Sequence, residues 1–320
     1  MNVENLLLIT NPFLNPIFLH VLSLIACGFI IGLVLIWMLN GFTFKEIWKS
    51  KVGNIYLGWV ILIPLYTFGL SCGWITGMCV LFFFMSIACK EIVTISKIPK
   101  AYQSILIFLA FITVIVAGAT PHLFALLPFI YFAVLAFASV RHNDADRGFY
   151  NTSVALYAAI WVIFGLAHIE LLAHLNGTID KTSALLFVLV FSVTLSDIGA
   201  YVFGKLFEKI GFMTEHKIAS NISPNKTYGG IVGHIIGAAL GVWSMWFAIS
   251  EYLPLYQWVI VTVLIGTAGS VGGMINSTFK RFYKVKDSGE LLAGHGGALD
   301  RIDSTIMVSV ALYYYLSIFM

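Results

Sequence analysis

The sequence predicts an all-α protein, a polytopic transmembrane helical bundle of nine or ten spans with its polar loops on one side. Three observations support this class. The composition is 60% hydrophobic and only 10% charged, with a mean hydropathy of +0.94, whereas soluble domains carry about 25% charged residues. Apolar runs of about 20 residues, the length that crosses a bilayer, recur along the chain. Basic residues cluster between these runs.

Apolar runs bounded by charges, glycines and prolines predict ten helices. They are expected at 16–39, 54–70, 73–93, 103–118, 121–140, 151–175, 183–207, 229–250, 257–279 and 304–320. Very short connections at Ser71-Cys72 and Thr120-Pro121 leave open that one flanking pair is a single bent hairpin, which would give nine spans. The N-terminal segment lacks the basic region of a cleavable signal peptide, so the first span is expected to be retained.

The distribution of lysine and arginine predicts which side each loop faces. With the N-terminus outside, all 18 basic residues except Lys181 fall in or beside the loops of one side. Because cytoplasmic loops carry an excess of these residues, that side is predicted to be the cytoplasm. The residues concerned are Lys45, Lys49, Lys51, Lys90, Lys97, Lys100, Arg141, Arg147, Lys205, Lys209, Lys217, Lys226, Lys280, Arg281, Lys284, Lys286 and Arg301.

The two longest cytoplasmic loops, 208–228 and 280–303, are the candidate catalytic loops. The second loop combines basic and acidic residues with a glycine-rich turn at 294–297; they are Lys280, Arg281, Lys284, Lys286, Arg301, Asp287, Glu290, Asp300 and Asp303. Basic side chains bind phosphate oxygens, glycines let backbone amides approach them, and carboxylates hold a divalent cation. The loop therefore predicts a nucleotide or polyphosphate site, although helix capping alone would explain Lys280, Arg281, Asp300 and Asp303.

Two further segments on the same side carry candidate site residues. The turn from Ser223 to Thr227 contains Lys226 and precedes a helix, and amides at a helix N-terminus form an anion site. Asp197 lies well inside the seventh span, and an intramembrane carboxylate is costly and therefore indicates function. The alternative for Asp197 is a hydrogen-bonded pair with Tyr201, and His234 is expected to be a core histidine.

Other polar residues and the net charge exclude some classes of function. His168, Glu170 and His174 end the sixth helix on the predicted outer side, away from both loops, so a metal site is not expected there. The net charge of +3 is too small to indicate a nucleic-acid partner. The cysteines lie in apolar segments without metal-ligand spacing and are expected to be ordinary small residues; they are Cys27, Cys72, Cys79 and Cys89.

Three motifs together resemble one enzyme family. The run from Ser277 to Ser304 (STFKRFYKVKDSGELLAGHGGALDRIDS) is similar to the C-terminal signature of phosphatidate cytidylyltransferases, or CDP-diacylglycerol synthases. The stretches D-x-G-A-Y-x-x-G-K from Asp197 to Lys205 and S-P-N-K-T from Ser223 to Thr227 resemble that family's other motifs. The similarity covers about residues 195–304, so we expect N-terminal transmembrane helices in 1–150 and a catalytic transmembrane region in 151–320.

The resemblance implies transfer of a cytidylyl group from CTP to phosphatidate, or a related lipid phosphate, giving CDP-diacylglycerol and pyrophosphate. It also implies Mg²⁺ or Mn²⁺ as cofactor and a site on the cytoplasmic face of the bacterial inner membrane, in contact with membrane lipids; a homodimer is compatible with it. The expected catalytic residues are Lys226, Lys280, Arg281, Lys286, Asp287, His295 and Arg301. Ser223, Thr227, Ser277, Gly296 and Gly297 are expected to bind substrate, and Asp300, Asp197 and Asp303 to bind metal.

The segment before the signature departs from the family pattern. Gly273 stands where the family has a metal-binding aspartate, and Asn276 stands at a commonly acidic position. This favours, as an alternative, a divergent or catalytically impaired paralogue that acts on another lipid phosphate or serves a regulatory role. A neighbouring carboxylate, Asp197 or Asp287, could also take over from the missing aspartate. A prenol-type lipid kinase and a transporter or channel are the remaining alternatives.

Overall fold

The structure is a computed structural model that describes residues 9–39, 51–143, 145–175, 179–211, 217–224, 226–250, 253–290 and 296–319. Within these ranges the chain is helical and has no strand, apart from an isolated bridge between Lys217 and Thr227. The predicted all-α architecture is therefore confirmed. Lys45, Lys49, Asn225 and His295 lie outside the described residues.

Ten main helices follow one another in the described part of the chain. They are α1 (Pro16–Leu39), α2 (Lys51–Ser71), α3 (Trp74–Ser96), α4 (Lys100–Ala119), α5 (Leu127–His142), α6 (Gly148–His174), α7 (Ile179–Ile210), α8 (Tyr228–Ser244), α9 (Leu255–Phe282) and α10 (Leu299–Phe319). A 3₁₀ segment at Pro121–Leu126 precedes α5, and a short helix at Trp246–Ile249 follows α8.

The helices have the length and composition expected of membrane spans. Among the described residues, eight helices are long and apolar enough to cross a membrane, and α2 and α8 contain shorter apolar segments at Tyr56–Ser71 and Tyr228–Ser244. These ten correspond to the ten predicted apolar runs, which confirms a polytopic bundle. The two tight connections lie between separate helices, and Gly73 turns the chain between α2 and α3 with a φ of +119°, which glycine tolerates.

Helix α6 is the most buried of the candidate spans in the described part of the chain: 72% of its most apolar 18-residue stretch is buried. Its middle turn, Ala159–Phe164, is a π-helix, a rare local widening of the α-helix. The end of α6 that was predicted to be outer carries buried His168 and Glu170, and His174 stacks on Trp74 with ring centroids 4.0 Å apart. A metal role for these three residues stays unexpected, as predicted from the sequence.

Helices α7 and α8 pack backbone to backbone. The cause is a row of glycines at every fourth position of α8, facing α7: a Cβ at Gly237 would overlap the Leu195 carbonyl, and one at Gly241 would overlap the Ser192 backbone. Small residues at this spacing let transmembrane helices approach closely. Helix α9 packs against α8 and α10, so that the end of α7, the start of α8, the end of α9 and the start of α10 meet.

Candidate active site

A cavity of about 720 Å³ opens where these four helix ends meet. Its lining contains residues from each of the three motif segments, among them Asp197, Lys205, Lys226, Thr227, Ser277 and Asp303. The predicted motifs, which span more than 100 residues of sequence, therefore converge on one place in the fold.

Two carboxylates, Asp197 on α7 and Asp303 on α10, are joined through Ser304. The Ser304 hydroxyl donates to Asp197 Oδ1 at 3.1 Å, and the Ser304 backbone N–H donates to Asp303 Oδ1 at 2.7 Å. The Asn276 amide donates to Asp303 Oδ2 at 2.9 Å. His234 is buried and its Nδ1 lies 3.0 Å from the Ser196 hydroxyl, as expected of a core histidine. It also lines the cavity, with Nδ1 3.8 Å from Asp197 Oδ1.

Lys226 extends into the cavity beside Gly273. Its ammonium group donates to the Ser270 carbonyl at 3.4 Å, and a Cβ built at Gly273 would lie 2.7 Å from Lys226 Nζ. Burial lowers the pKa of Lys226, while the nearby carboxylates of Asp303 and Asp197 act in the opposite direction. The lysine head therefore occupies the space that a side chain at position 273 would need.

The turn before α8 holds Lys226 in place. Thr227 is the N-cap of α8, with an extended backbone and a hydroxyl that accepts the Gly230 N–H at 3.1 Å; threonine is a favoured residue at this position. The Lys226 N–H bonds to the Ser223 carbonyl at 3.1 Å, which closes the turn. Thr227 lines the cavity, whereas Ser223 contributes through its backbone. Ser277 also lines it, and its hydroxyl donates to the Gly273 carbonyl at 2.7 Å.

The donor set of this cavity suits a hard divalent cation. Magnesium binds through one or two carboxylates, with water and substrate phosphates completing its shell. Asp197 and Asp303 provide two carboxylates on one wall of the cavity. No group of three or more histidine, cysteine, aspartate or glutamate ligands occurs in the described ranges.

Asp300 is arranged differently from its predicted role as a metal ligand. Its Oδ1 accepts the Lys280 ammonium at 2.6 Å and the Asn276 amide at 3.2 Å. Its Oδ2 accepts the Ser288 N–H at 2.7 Å and the Gly297 N–H at 3.1 Å, and the oxygen of the Ser288 hydroxyl lies 3.0 Å away. Asp300 is absent from the cavity lining. Since both oxygens are already occupied, the geometry favours a positioning role for Asp300.

The remaining predicted residues of the second loop do not line the cavity. Arg281 is exposed and donates to the carbonyls of Ile222 and Val285, at 3.3 and 3.0 Å, which ties the two loops together. Lys286 and Asp287 are exposed. Arg301 lies with its guanidinium carbon 5.8 Å from the centre of the Trp59 ring.

Glycines of the signature shape its turn. Gly296 has a φ of +75°, which explains a glycine there. A Cβ at Gly297 would overlap the Ser288 hydroxyl and the carboxylate of Glu91. Neither glycine lines the cavity, so their predicted contact with substrate stays a prediction.

Three residues that line the cavity or contact the second loop were not singled out from the sequence. Lys205 and Lys217 line the cavity, and Lys205 donates to the Tyr201 hydroxyl at 2.5 Å, which leaves Tyr201 paired with a lysine instead of Asp197. Lys205 is the last residue of the D-x-G-A-Y-x-x-G-K motif, so its place in that motif could have identified it as a candidate site residue. Glu91 on α3 contacts the second loop from the other half of the chain, and no local sequence pattern indicates it.

Comparisons with known proteins match the same region. A family model described as "Cytidylyltransferase family" matches residues 54–319. The phosphatidate cytidylyltransferase of Staphylococcus haemolyticus (strain JCSC1435) is 41% identical over 116 residues, which cover 36% of this chain and 42% of that protein. That of Staphylococcus aureus (strain COL) is 39% identical over the same shares. The uncharacterized protein YnbB of Escherichia coli (strain K12) is 32% identical over 191 residues, 59% of this chain and 62% of YnbB. The matched segment thus spans less than half the length of the named enzymes.

Proposed function

Because this chain belongs to the cytidylyltransferase family, we propose that it transfers the cytidylyl group of CTP to phosphatidate, giving CDP-diacylglycerol and pyrophosphate. The observation that carries the proposal is the cavity in which Lys226 lies beside the carboxylates of Asp197 and Asp303. The similarity to named phosphatidate cytidylyltransferases supports the choice of lipid substrate.

The proposed reaction makes modest demands on acid–base chemistry. A phosphate monoester has a second pKa of about 6, so its oxygen is a competent nucleophile near neutral pH. That oxygen attacks the α-phosphorus of CTP, a new P–O bond forms, and the bond to the bridging oxygen of the β-phosphate breaks to release pyrophosphate. The protein therefore has to align the two phosphates and neutralise their charge.

The side chains of the cavity can meet these demands. Lys226 would contact the phosphate that carries the developing charge, and Lys205 and Lys217 line the wall that the rest of a triphosphate would reach. Thr227 and Gly230 at the start of α8 line the same space, and a helix N-terminus favours an anion. Asp197 and Asp303 would hold Mg²⁺ or Mn²⁺, which supplies further neutralisation of phosphate charge when bound.

The membrane setting suits a two-tailed substrate. The candidate spans α7, α9 and α10 and the shorter apolar helix α8 line the cavity, so a lipid could keep its acyl chains in the bilayer while its headgroup enters. The excess of basic residues at this end supports a cytoplasmic orientation in the inner membrane.

A divergent activity on another lipid phosphate, or a regulatory role, is the second candidate. Asn276 donates to both Asp300 and Asp303, so a neutral amide bridges these two carboxylates. A carboxylate at this position could not donate these hydrogen bonds. Asn276 adds no negative charge, so a divalent cation is expected to bind more weakly here than in a site with a further carboxylate.

Incubation of the purified protein with labelled CTP and phosphatidate in detergent–lipid micelles tests the proposal. The transferase produces a labelled CDP-lipid and pyrophosphate. A lipid kinase would release CDP instead, and a regulatory protein would leave CTP intact. Other lipid phosphates in parallel reactions distinguish the first candidate from the second.

A further inference from the structure

Glu91 is a buried carboxylate that reaches the signature loop from a distant part of the chain. It lies near the end of α3, with 9% of its surface exposed. Its Oε1 accepts the Ala298 N–H at 2.7 Å, and its Oε2 accepts the Leu299 N–H at 3.0 Å and the Ser288 hydroxyl at 2.9 Å. Glu91 is not among the residues that line the cavity.

These hydrogen bonds meet the start of α10. The first amides of a helix have no partner inside the helix, and a negative charge is favoured beside them. Ala298 and Leu299 provide two of these amides, so Glu91 acts as an N-terminal cap supplied by another helix. A carboxylate that accepts three hydrogen bonds in a buried place fixes the groups that donate them.

The glycines around Glu91 are explained by the same contact. A Cβ at Gly289 would lie 2.7 Å from Glu91 Oε1, and a Cβ at Gly297 would overlap Oε2. Both segments of the loop therefore approach the carboxylate more closely than a residue with a side chain allows.

We infer that Glu91 is a positioning residue, which fixes the start of α10 and thereby places Asp303 in the cavity. Asp303 follows Leu299 by about one helical turn, so a shift of the Leu299 amide is transmitted to its carboxylate. Ser288, whose hydroxyl donates to Glu91, donates its backbone N–H to Asp300 on the same turn at 2.7 Å. The effect on turnover rests on the proposed function, whereas the effect on α10 does not.

Glu91→Gln tests the inference, with Glu170→Gln as the matched control. Glu170 is also a buried glutamate of a membrane helix, 2% exposed, and it lies on α6 outside the cavity lining. Hydrogen exchange is measured in the peptide that contains Ala298 and Leu299. In Glu91→Gln these amides are expected to exchange at least about tenfold faster. The reason is that the local opening which exposes them to solvent no longer has to break a hydrogen bond to a charged carboxylate. The control leaves their exchange unchanged.

Turnover per folded molecule is measured in the same preparations. Glu91→Gln is expected to lower kcat about 100-fold, the size of effect that follows from displacing a reacting group, while KM for CTP changes less than about threefold. If Glu91→Gln does not accumulate as folded protein, Ser288→Ala removes one donor and is expected to give a smaller effect of the same kind.

Unchanged exchange at Ala298 and Leu299 overturns the inference, and so does turnover equal to that of the control. A natural protein that forms no CDP-lipid contradicts the proposed function instead, and the exchange measurement then still decides whether Glu91 holds α10.

Discussion

Asn276, near the end of α9, forms hydrogen bonds with two acidic side chains of α10. Asp300 and Asp303 lie three residues apart on α10, and like charges this close disfavour each other's ionised form. The Asn276 amide donates to both of them, at 3.2 and 2.9 Å, and Lys280 pairs with Asp300 at 2.6 Å. A neutral donor at position 276 thus lets one aspartate organise the loop while the other faces the cavity.

The different surroundings of Asp303 and Asp300 lead to different expected effects of substitution. Asp303→Asn is expected to raise the Mg²⁺ concentration for half-maximal activity at least about tenfold, because a charged oxygen ligand is lost. Asp300→Asn is expected to lower the free energy of unfolding by about 3 kcal/mol, because Lys280 loses its buried partner. Metal titration and thermal unfolding of both variants measure these effects, and an altered metal requirement in Asp300→Asn alone would reverse the assignment.

Lys226 is expected to contribute directly to transfer. Lys226→Ala should lower kcat/KM at least about 100-fold, the loss expected when a preorganised charge is removed from a transition state. Lys209→Ala is the control, since Lys209 is an exposed lysine on α7 that does not line the cavity. Equal activities of the two variants would exclude a role for the Lys226 ammonium group.

At the scale of residues, the motifs predicted several residues that line the cavity, but they did not predict the hydrogen bonds that surround it. Asp197, Lys226 and Asp303 were named from their motifs, and all three line the cavity. The D-R-I-D pattern could not distinguish Asp300 from Asp303, because the loop that surrounds one of them decides their roles. Glu91 was missed because its partners lie 207 and 208 residues away in sequence.

At the scale of helices, the close packing of α7 and α8 sets the position of Asp197. Asp197 follows Ser196, and a Cβ at Gly237 would lie 2.9 Å from the Ser196 Cα and would overlap the Leu195 carbonyl. Backbone atoms cannot move aside as a flexible side chain can. Separation of these helices therefore displaces the carboxylate as well.

Gly237→Ala is expected to lower the free energy of unfolding by at least about 2 kcal/mol, as over-packing does in tight interiors. Gly28→Ala is the matched control, because no atom lies within 4 Å of a Cβ built at Gly28. Thermal unfolding of the two purified variants gives the comparison. Equal stability would mean that α7 and α8 can separate without cost.

The helices were predicted well where hydropathy defines them. The predicted span 16–39 coincides with α1, because its composition changes sharply at both ends. The predicted span 229–250 was too long as a single helix: α8 ends at Ser244, and Trp246–Ile249 forms a separate short helix. Apolar composition continues across that break, so hydropathy alone could not locate it.

At the scale of the whole molecule, the orientation in the membrane remains a prediction from the charges. Loops 208–228 and 280–303 are expected inside, and 176–182 and 251–256 outside; parts of these ranges lie beyond the described residues. Helix α9 begins at Leu255, on the side predicted to be outside, and ends at Phe282, on the side predicted to be cytoplasmic.

Labelling with a membrane-impermeant thiol reagent tests this orientation. In a variant without Cys27, Cys72, Cys79 and Cys89, Leu255→Cys is expected to react in intact cells. Val285→Cys is expected to react only after permeabilisation, because its loop lies with the basic residues. Reaction at 285 but not at 255 in intact cells would show the opposite orientation.

The bond between Glu91 and α10 also bears on biogenesis. Helices leave the ribosome in chain order, so α3 enters the bilayer long before Ala298 and Leu299 have been synthesised. A carboxylate without donors is costly in hydrocarbon. Glu91 follows the exposed Lys90 near the end of its helix, where interfacial water can hydrate it during this interval. Insertion of α10 then replaces that water with protein donors, so the nascent bundle completes the cavity and dehydrates this carboxylate in the same step.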